Sequence, residues 1–381
     1  MLTTFSDTAA AHAPVPGGTT VTGNIIRTTI VGTGSYIPEQ VVPNSAFLEH
    51  EFYDANGTRI DRATRDIIDK FQAITGINAR QYLSADQCTS DIAHLAAADA
   101  LTSSGCDPET LDYIIVAHNF GDVGVDNRRT DMVPTLAARV KQRLGIRNPA
   151  TVAYDLPFGC AGWLQAVIQA DYYIRSGDAR RALVIGAETL SRVSDPHDRD
   201  SMLYADGAGA CLLEGITTDK PIGILAHCTR SDTIEASQLL HLGPSYNPDF
   251  DGSDLFLKMN GHKLYEYALR LVPTVVKECI TKAGLQLSDV SKILIHQANA
   301  KMDEAILERI YGLFGADAAP DKVMPMTISW LGNSSVATIP TLLDLLMKEK
   351  LEHQRLESGQ RIVLASVGAG MNINAVAYAL P

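Results

Sequence analysis

Long apolar runs, paired cysteines and a surplus of basic charge are all missing from this chain. No uninterrupted apolar stretch approaches the ~20 residues that cross a bilayer as a helix, so no membrane span is expected. The six cysteines, at positions 88, 106, 160, 211, 228 and 279, stand singly. Such spacing offers neither a zinc-ligand pattern nor a disulfide framework; it leaves no metal to expect and fits a reducing, cytoplasmic setting. A net charge of -12 argues against nucleic acid or an anionic membrane as partner, although a local basic patch can still recruit an acidic protein. No basic residue precedes Arg27, and the Thr-, Ala-, Pro- and Gly-rich opening through Asn24 reads as a disordered tail rather than a signal peptide.

What is present is ordinary globular material. At 381 residues and 46% hydrophobic, the chain can bury one large core or two domain-sized ones. Ile25 to Val31 is β-branched and apolar, and Gly32-Thr33-Gly34 reads as the turn that ends it. The glycines do not complete a dinucleotide loop, because Ile stands at position 37. Asn44 to Phe71 is helical in pattern, in two pieces about Asn56-Gly57, and a helix through Leu95 to Leu101 stops near Gly105. Tyr113 to Ala117 reads as a buried strand, and Pro134 to Leu144 as an amphipathic helix with Arg139, Lys141 and Arg143 on its polar side. Strands at Ala182 to Gly186 and Ala208 to Leu213 follow, before Lys220-Pro221 breaks the pattern. Helix, loop and strand in alternation give an α/β fold.

The second half echoes the first. Gly105, Asp112 and Ile114-Ile115-Val116 recur as Gly284, Asp289 and Ile293-Leu294-Ile295, and Leu183 to Gly186 resembles Val363 to Ser366. A duplicated unit of buried parallel strands follows from this, with halves at 25–218 and 219–381. Sites in such sheets lie beyond the carboxyl ends of strands, where the halves meet.

Three stretches stand at such boundaries. Tyr154-Asp-Leu-Pro-Phe-Gly-Cys160-Ala-Gly leads from an extended run into a helix carrying Trp163, Leu164, Val167, Ile168, Tyr172 and Ile174. A cysteine there meets unpaired amides and a helix dipole, which favour the reactive thiolate; a small buried thiol is the plainer alternative. His296-Gln-Ala-Asn299 follows an apolar strand, and Gly332-Asn333-Ser-Ser precedes a helix. Each alone reads equally as a structural histidine or a turn former.

Together these motifs resemble the active-site motifs of β-ketoacyl-acyl-carrier-protein synthase III, in the thiolase superfamily. The likeness runs from about Ile30 to the C-terminus and takes in Gly32 to Glu39, Thr75-Gly-Ile77, Asp195-Pro-His-Asp-Arg199, Asp206-Gly-Ala-Gly209 and Gly368-Ala-Gly370. It implies a thiolase-like fold of two duplicated α/β halves in a five-layered αβαβα arrangement, and a homodimer. It also implies an acyltransferase that joins an acyl primer, held on Cys160, to a malonyl- or 3-ketoacyl-type thioester on acyl carrier protein with loss of carbon dioxide. His296 and Asn333 would hold the enolate, and the amides of Cys160 and Ala369 the tetrahedral oxygen. No cofactor is implied beyond acyl-CoA or acyl-carrier thioesters as substrates. The pathway would be fatty acid initiation or a specialised lipid or polyketide route, such as that of the dialkylresorcinol-forming ketosynthases, which the chain also resembles. Two other readings are an acyltransferase or thioester hydrolase on this fold, for which Asn333 would be superfluous, and a non-catalytic ketosynthase partner, which would be expected to lose the nucleophile.

Departures from the family bear on the donor. The tryptophan and arginine that clamp the adenine of CoA are replaced by Lys70 and Ile74, whereas Arg199 matches a CoA-contacting arginine. A pocket phenylalanine supplied by the partner subunit in short-primer relatives is replaced by Val133, with Met132 or Leu203 able to refill the space. Residues 50–65 look like an insertion of unassigned role. Lys301 falls at a carrier-docking arginine and Arg309 lies further along the same helix, a basic rim for an acidic carrier.

Overall fold

The computed structural model describes residues 25–381; the tail expected over 1–24 lies outside the described residues. Among the described residues, nine of thirteen strands form two large sheets, and the other four pair in two two-stranded sheets. The first holds β1 (Ile25–Tyr36), β2 (Tyr113–His118), β3 (Val152–Pro157), β4 (Arg181–Thr189) and β5 (Asp206–Thr218), in the order β1-β5-β4-β2-β3. The second holds β6 (Gly223–Ser231), β7 (Val290–Ile295), β8 (Arg361–Gly368) and β9 (Asn372–Ala379), in the order β7-β8-β9-β6.

The sheets are mixed rather than all parallel. In the first, β2 runs parallel to β3 and β4, while β5 is antiparallel to both β4 and β1. The second repeats this: β7 is parallel to β8, and β9 is antiparallel to β8 and β6. Even the register recurs, since Ile114 faces Leu183 in one sheet and Ile293 faces Val363 in the other. β3, which delivers the Cys160 segment, has no counterpart among the described strands of the second sheet.

Helices fill the remaining layers. α1 (Thr64–Thr75) stands outside the main stack, whereas α2 (Thr89–Ser104) and α3 (Leu136–Arg143) pack on the outer face of the first sheet. α4 (Gly162–Ser176) and α7 (Thr338–Met347) lie between the sheets, and α5 (Gly261–Lys282) and α6 (Ala300–Leu313) cover the second. The sequence explains that sorting. α4 and α7 are apolar nearly all round, as a helix buried on every side must be, and Trp163, Leu164, Leu342 and Leu346 join both sheets in one core. The result is a five-layered αβαβα stack of the thiolase type.

Two local expectations fail. Gly32-Thr33-Gly34 does not turn the chain: β1 continues through it with a bulge after Ile30. The glycines instead admit α2, for a Cβ on Gly34 would lie 2.3 Å from Ala100 N and Ala96 O. Between Asn44 and Phe71, only Asn44–Phe47 and α1 are helical. The stretch between is irregular, closed at Asn56-Gly57 by a turn in which Gly57 N donates to Asp54 O at 3.0 Å. Among the described residues no helix is long and apolar enough to cross a membrane.

Candidate active site

β3 ends at Pro157, a single turn at Gly159–Ala161 carries Cys160, and α4 starts at Gly162. Gly159 takes φ 64°, and a Cβ there would sit 2.5 Å from Ala369 N; one on Gly368 would sit 2.4 Å from Cys160 N. Only glycine permits this backbone-to-backbone approach, which brings the amides expected to hold a tetrahedral oxygen side by side. The thiol itself departs from expectation. Burial, with the Glu188 carboxylate adding to it, pushes Cys160 up to about 11, against the pull of the Ser335 hydroxyl and a backbone amide. Desolvation therefore outweighs the turn and helix start that were expected to favour a thiolate.

His296 leaves β7 with its amide donating to Ala365 O at 2.9 Å. It is 4% exposed, and its Nδ1 has no hydrogen-bond partner among the described residues. Burial drives its titration down to about 4, so the imidazole is neutral at pH 7. The residues after it are scaffolding. Gln297 Oε1 accepts from Thr327 N at 2.8 Å and Ile328 N at 3.0 Å, and Asn299 caps α6 by accepting from Met302 N at 3.2 Å.

Asn333 is tied to the first half through its backbone, donating to Leu203 O at 2.9 Å and accepting from Ala205 N at 2.8 Å. Its Oδ1 accepts from Ser335 N at 2.9 Å, which leaves the Nδ2 end for the space in front of it. That space is a cavity of about 230 Å³ lined by Cys160, His296, Asn333 and Ala369 together. Phe120, Leu190, Leu257 and Met259 are among its apolar walls, and among the described residues no Asp, Glu, Lys or Arg lines it. A neighbouring cavity of about 600 Å³ shares His241 and Met259 with it and is lined by Ala55 and Gly57. Two residues of the 50–65 segment thus line a cavity next to the site.

The other expected residues lie apart. Arg199 is exposed and lines neither cavity. Met132 and Val133 do not line the cavity of their own chain; Val133 is 88% exposed. Backbone pairing of Asp122 with Asp131, and Arg139 bonded to both carboxylates, close the preceding loop and turn these two outward. Leu203 is buried with Met202 and Ile328, outside the cavity lining. Lys301 and Arg309 are exposed on α6, as are Lys70 and Ile74 on α1.

Sequence reasoning missed three residues. The Ser335 hydroxyl donates to Cys160 Sγ at 3.2 Å, and Asn119 Nδ2 donates to Ser335 Oγ at 3.0 Å. Asn119 in turn gives both its backbone N–H, at 3.0 Å, and its Nδ2 to Glu188 Oε2. Burial pushes Glu188 up to about 7. Ser335 stood inside the Gly332-Asn333-Ser-Ser run and was open to notice; Asn119 and Glu188 carried no local signal. Among the described residues no group of three or more His, Cys, Asp or Glu is placed to hold a metal ion.

Comparison with known proteins gives a consistent answer. Residues 154–233 match the family described as 3-Oxoacyl-[acyl-carrier-protein (ACP)] synthase III, and residues 280–380 match its C-terminal part. The chain is 32% identical over 358 residues to the β-ketoacyl-(acyl-carrier-protein) synthase III of Chelativorans sp. (strain BNC1), covering 92% of this chain and 99% of that relative. Among solved structures, it is similar to the synthase III from Thermus thermophilus, with TM-score 0.75 and 29% identity over 93% of this chain and 99% of the other. It is also similar to the priming β-ketosynthase of the R1128 polyketide biosynthetic pathway, with TM-score 0.76 and 25% identity over 96% and 99%.

Proposed function

This chain belongs to the 3-oxoacyl-(acyl-carrier-protein) synthase III family and is a condensing acyltransferase of that type, and from that premise we propose that it condenses an acyl primer with a carrier-bound malonyl- or 3-ketoacyl-type thioester in a specialised lipid or polyketide pathway. The observation that carries the reading is the convergence of Cys160, His296 and Asn333 on one apolar cavity that no Asp, Glu, Lys or Arg of the described residues lines.

Cys160 sulfur attacks the donor's thioester carbonyl, and the donor thiol leaves with a proton. The adjacent amides of Cys160 and Ala369 hold the tetrahedral oxygen while it carries charge. A malonyl-type thioester then enters a space that no Lys or Arg of the described residues lines, and loss of neutral carbon dioxide moves the charge off the unpaired carboxylate. The electrons pass to the thioester oxygen, which meets neutral His296 and the Asn333 Nδ2 as donors. The enolate carbon attacks the acyl carbonyl, the C–S bond to Cys160 breaks, and a 3-oxoacyl thioester departs. This route needs no cofactor beyond acyl-CoA or acyl-carrier substrates.

Support for the specialised branch comes from the adenine-clamp positions, occupied by Lys70 and Ile74, and from the likeness to a priming polyketide ketosynthase. The test offers acyl donors of graded length, as CoA and as carrier-protein thioesters, and reads intact mass for an adduct absent from Cys160→Ala. Adducts mainly from longer or carrier-bound donors support the specialised role. Adducts mainly from short acyl-CoA would return the enzyme to fatty acid initiation. No adduct from any donor would sink the condensation itself and revive the non-catalytic partner reading.

A further inference from the structure

Ser335 touches both halves of the chemistry. Its backbone N–H fixes the Asn333 amide oxygen, and its hydroxyl donates to Cys160 Sγ at 3.2 Å. To do both it adopts φ 52°, in the left-handed region that costs a side-chain-bearing residue free energy. Such strain persists only where the surroundings hold it, and Ser335 is 2% exposed.

The hydroxyl is also aimed. Because Asn119 Nδ2 donates to Ser335 Oγ at 3.0 Å, the single hydroxyl hydrogen is left for the sulfur. Asn119 is itself held by Glu188 Oε2 through two donors. The donors from Asn119 onward therefore run one way, toward Cys160, and a hydroxyl that accepts from an amide is polarised as a donor. Among the described residues, Ser335 is the only side chain hydrogen-bonded to that sulfur. His296, held neutral by burial, offers no imidazolium to pair with a thiolate.

We propose that Ser335 is a further catalytic residue, its hydroxyl holding the negative charge of the Cys160 sulfur when the thiol ionises and again when the sulfur leaves after carbon-carbon bond formation. Asn119 and Glu188 are positioning residues that aim it. The inference rests on Cys160 being the nucleophile and goes beyond the roles assigned to His296 and Asn333.

The test follows alkylation of Cys160 by iodoacetamide in the full-length protein, in which the thiolate forms an S–C bond and iodide leaves, over a pH series from neutral to strongly alkaline. Losing a hydrogen bond to a charged sulfur should lower the neutral-pH rate of Ser335→Ala roughly ten-fold, with the curves merging once the thiol is fully ionised. Ser335→Gly relaxes the backbone yet lacks the hydroxyl, so it should show the same drop. Asn119→Ala should shift the profile the same way by a smaller factor. Profiles of the alanine and glycine variants superimposed on the parent would overturn the proposal, as would a deficit undiminished at the highest pH, which indicates lost access rather than lost ionisation. Alkylation needs no acyl substrate. Shifted profiles in a protein that forms no acyl adduct would leave the Ser335–sulfur bond standing and remove the condensation reading; normal acylation with superimposed profiles would remove Ser335 alone.

Discussion

Desolvation governs the two titrating groups of the candidate triad, and in both it favours the neutral form. For His296 the sign of the pH dependence follows. An ordinary imidazole protonates near 6.5, but this one stays neutral until about 4, so the donor's neutral form is kept on acidification and lost only below that value. Malonyl-thioester decarboxylation by Cys160→Ala should therefore run flat through pH 6.5 and fall only as pH nears 4. An acid limb near 6.5 would mean a solvated imidazole. The same shift affects stability: between 6.5 and about 4 the unfolded chain binds a proton that the folded one refuses, so falling pH favours unfolding by up to about 3 kcal/mol. Roles separate as well. His296→Ala and Asn333→Ala should still take up acyl groups by intact mass but lose decarboxylation at least ~100-fold, as removing an oxyanion donor does; an Asn333 variant condensing at the parent rate would end its enolate role. These three residues were legible because each stands where a strand or turn gives way to another element. Ser335, Asn119 and Glu188 were not read as a set, since positions 119, 188 and 335 meet only after both halves fold together.

At the scale of elements, the apolar runs proved easier to read than the glycines. Helical spacing placed α4 and apolar runs placed α2 and β2, because burial follows both, and the Gly105 stop holds because that residue takes φ 64°. Gly32 and Gly34 were misread as a turn because the same residue type serves left-handed backbone and close approach, and only the crossing helix tells them apart. Two substitutions separate these uses. At Gly34 a methyl group would collide with helix backbone at 2.3 Å, which cannot give as a flexible side chain can. Gly34→Ala should cost about 3 kcal/mol in urea unfolding, in the range of overpacked cores. At Gly105 nothing lies within 4 Å of the added carbon, so only the φ penalty remains, about 1 kcal/mol. Equal costs at the two sites would refute this account of β1 and α2.

Over the whole molecule, the repeated strand directions and registers of the two sheets carry through what Gly105 and Gly284 hinted at in the sequence, while β3 breaks the symmetry and brings Cys160 to the cavity that His296 and Asn333 also line. The expectation hardest to square with the whole is docking of an acidic carrier on a chain of net charge -12. Long-range repulsion is screened beyond ~8 Å at physiological salt, so local charge decides the encounter. Lys301 and Arg309 stand eight residues apart on α6, a rise of about 12 Å along one helix. Rim charges act on encounter rather than on chemistry, so Lys301→Glu should raise KM for a carrier-bound donor about ten-fold while leaving kcat, and the rate with a small acyl-N-acetylcysteamine thioester, near the parent value. Added salt should weaken the parent's reaction with the carrier donor and leave the small thioester unaffected. If Lys301→Glu and added salt alter both donors alike, or neither, α6 is not the docking face and the carrier meets another part of the surface.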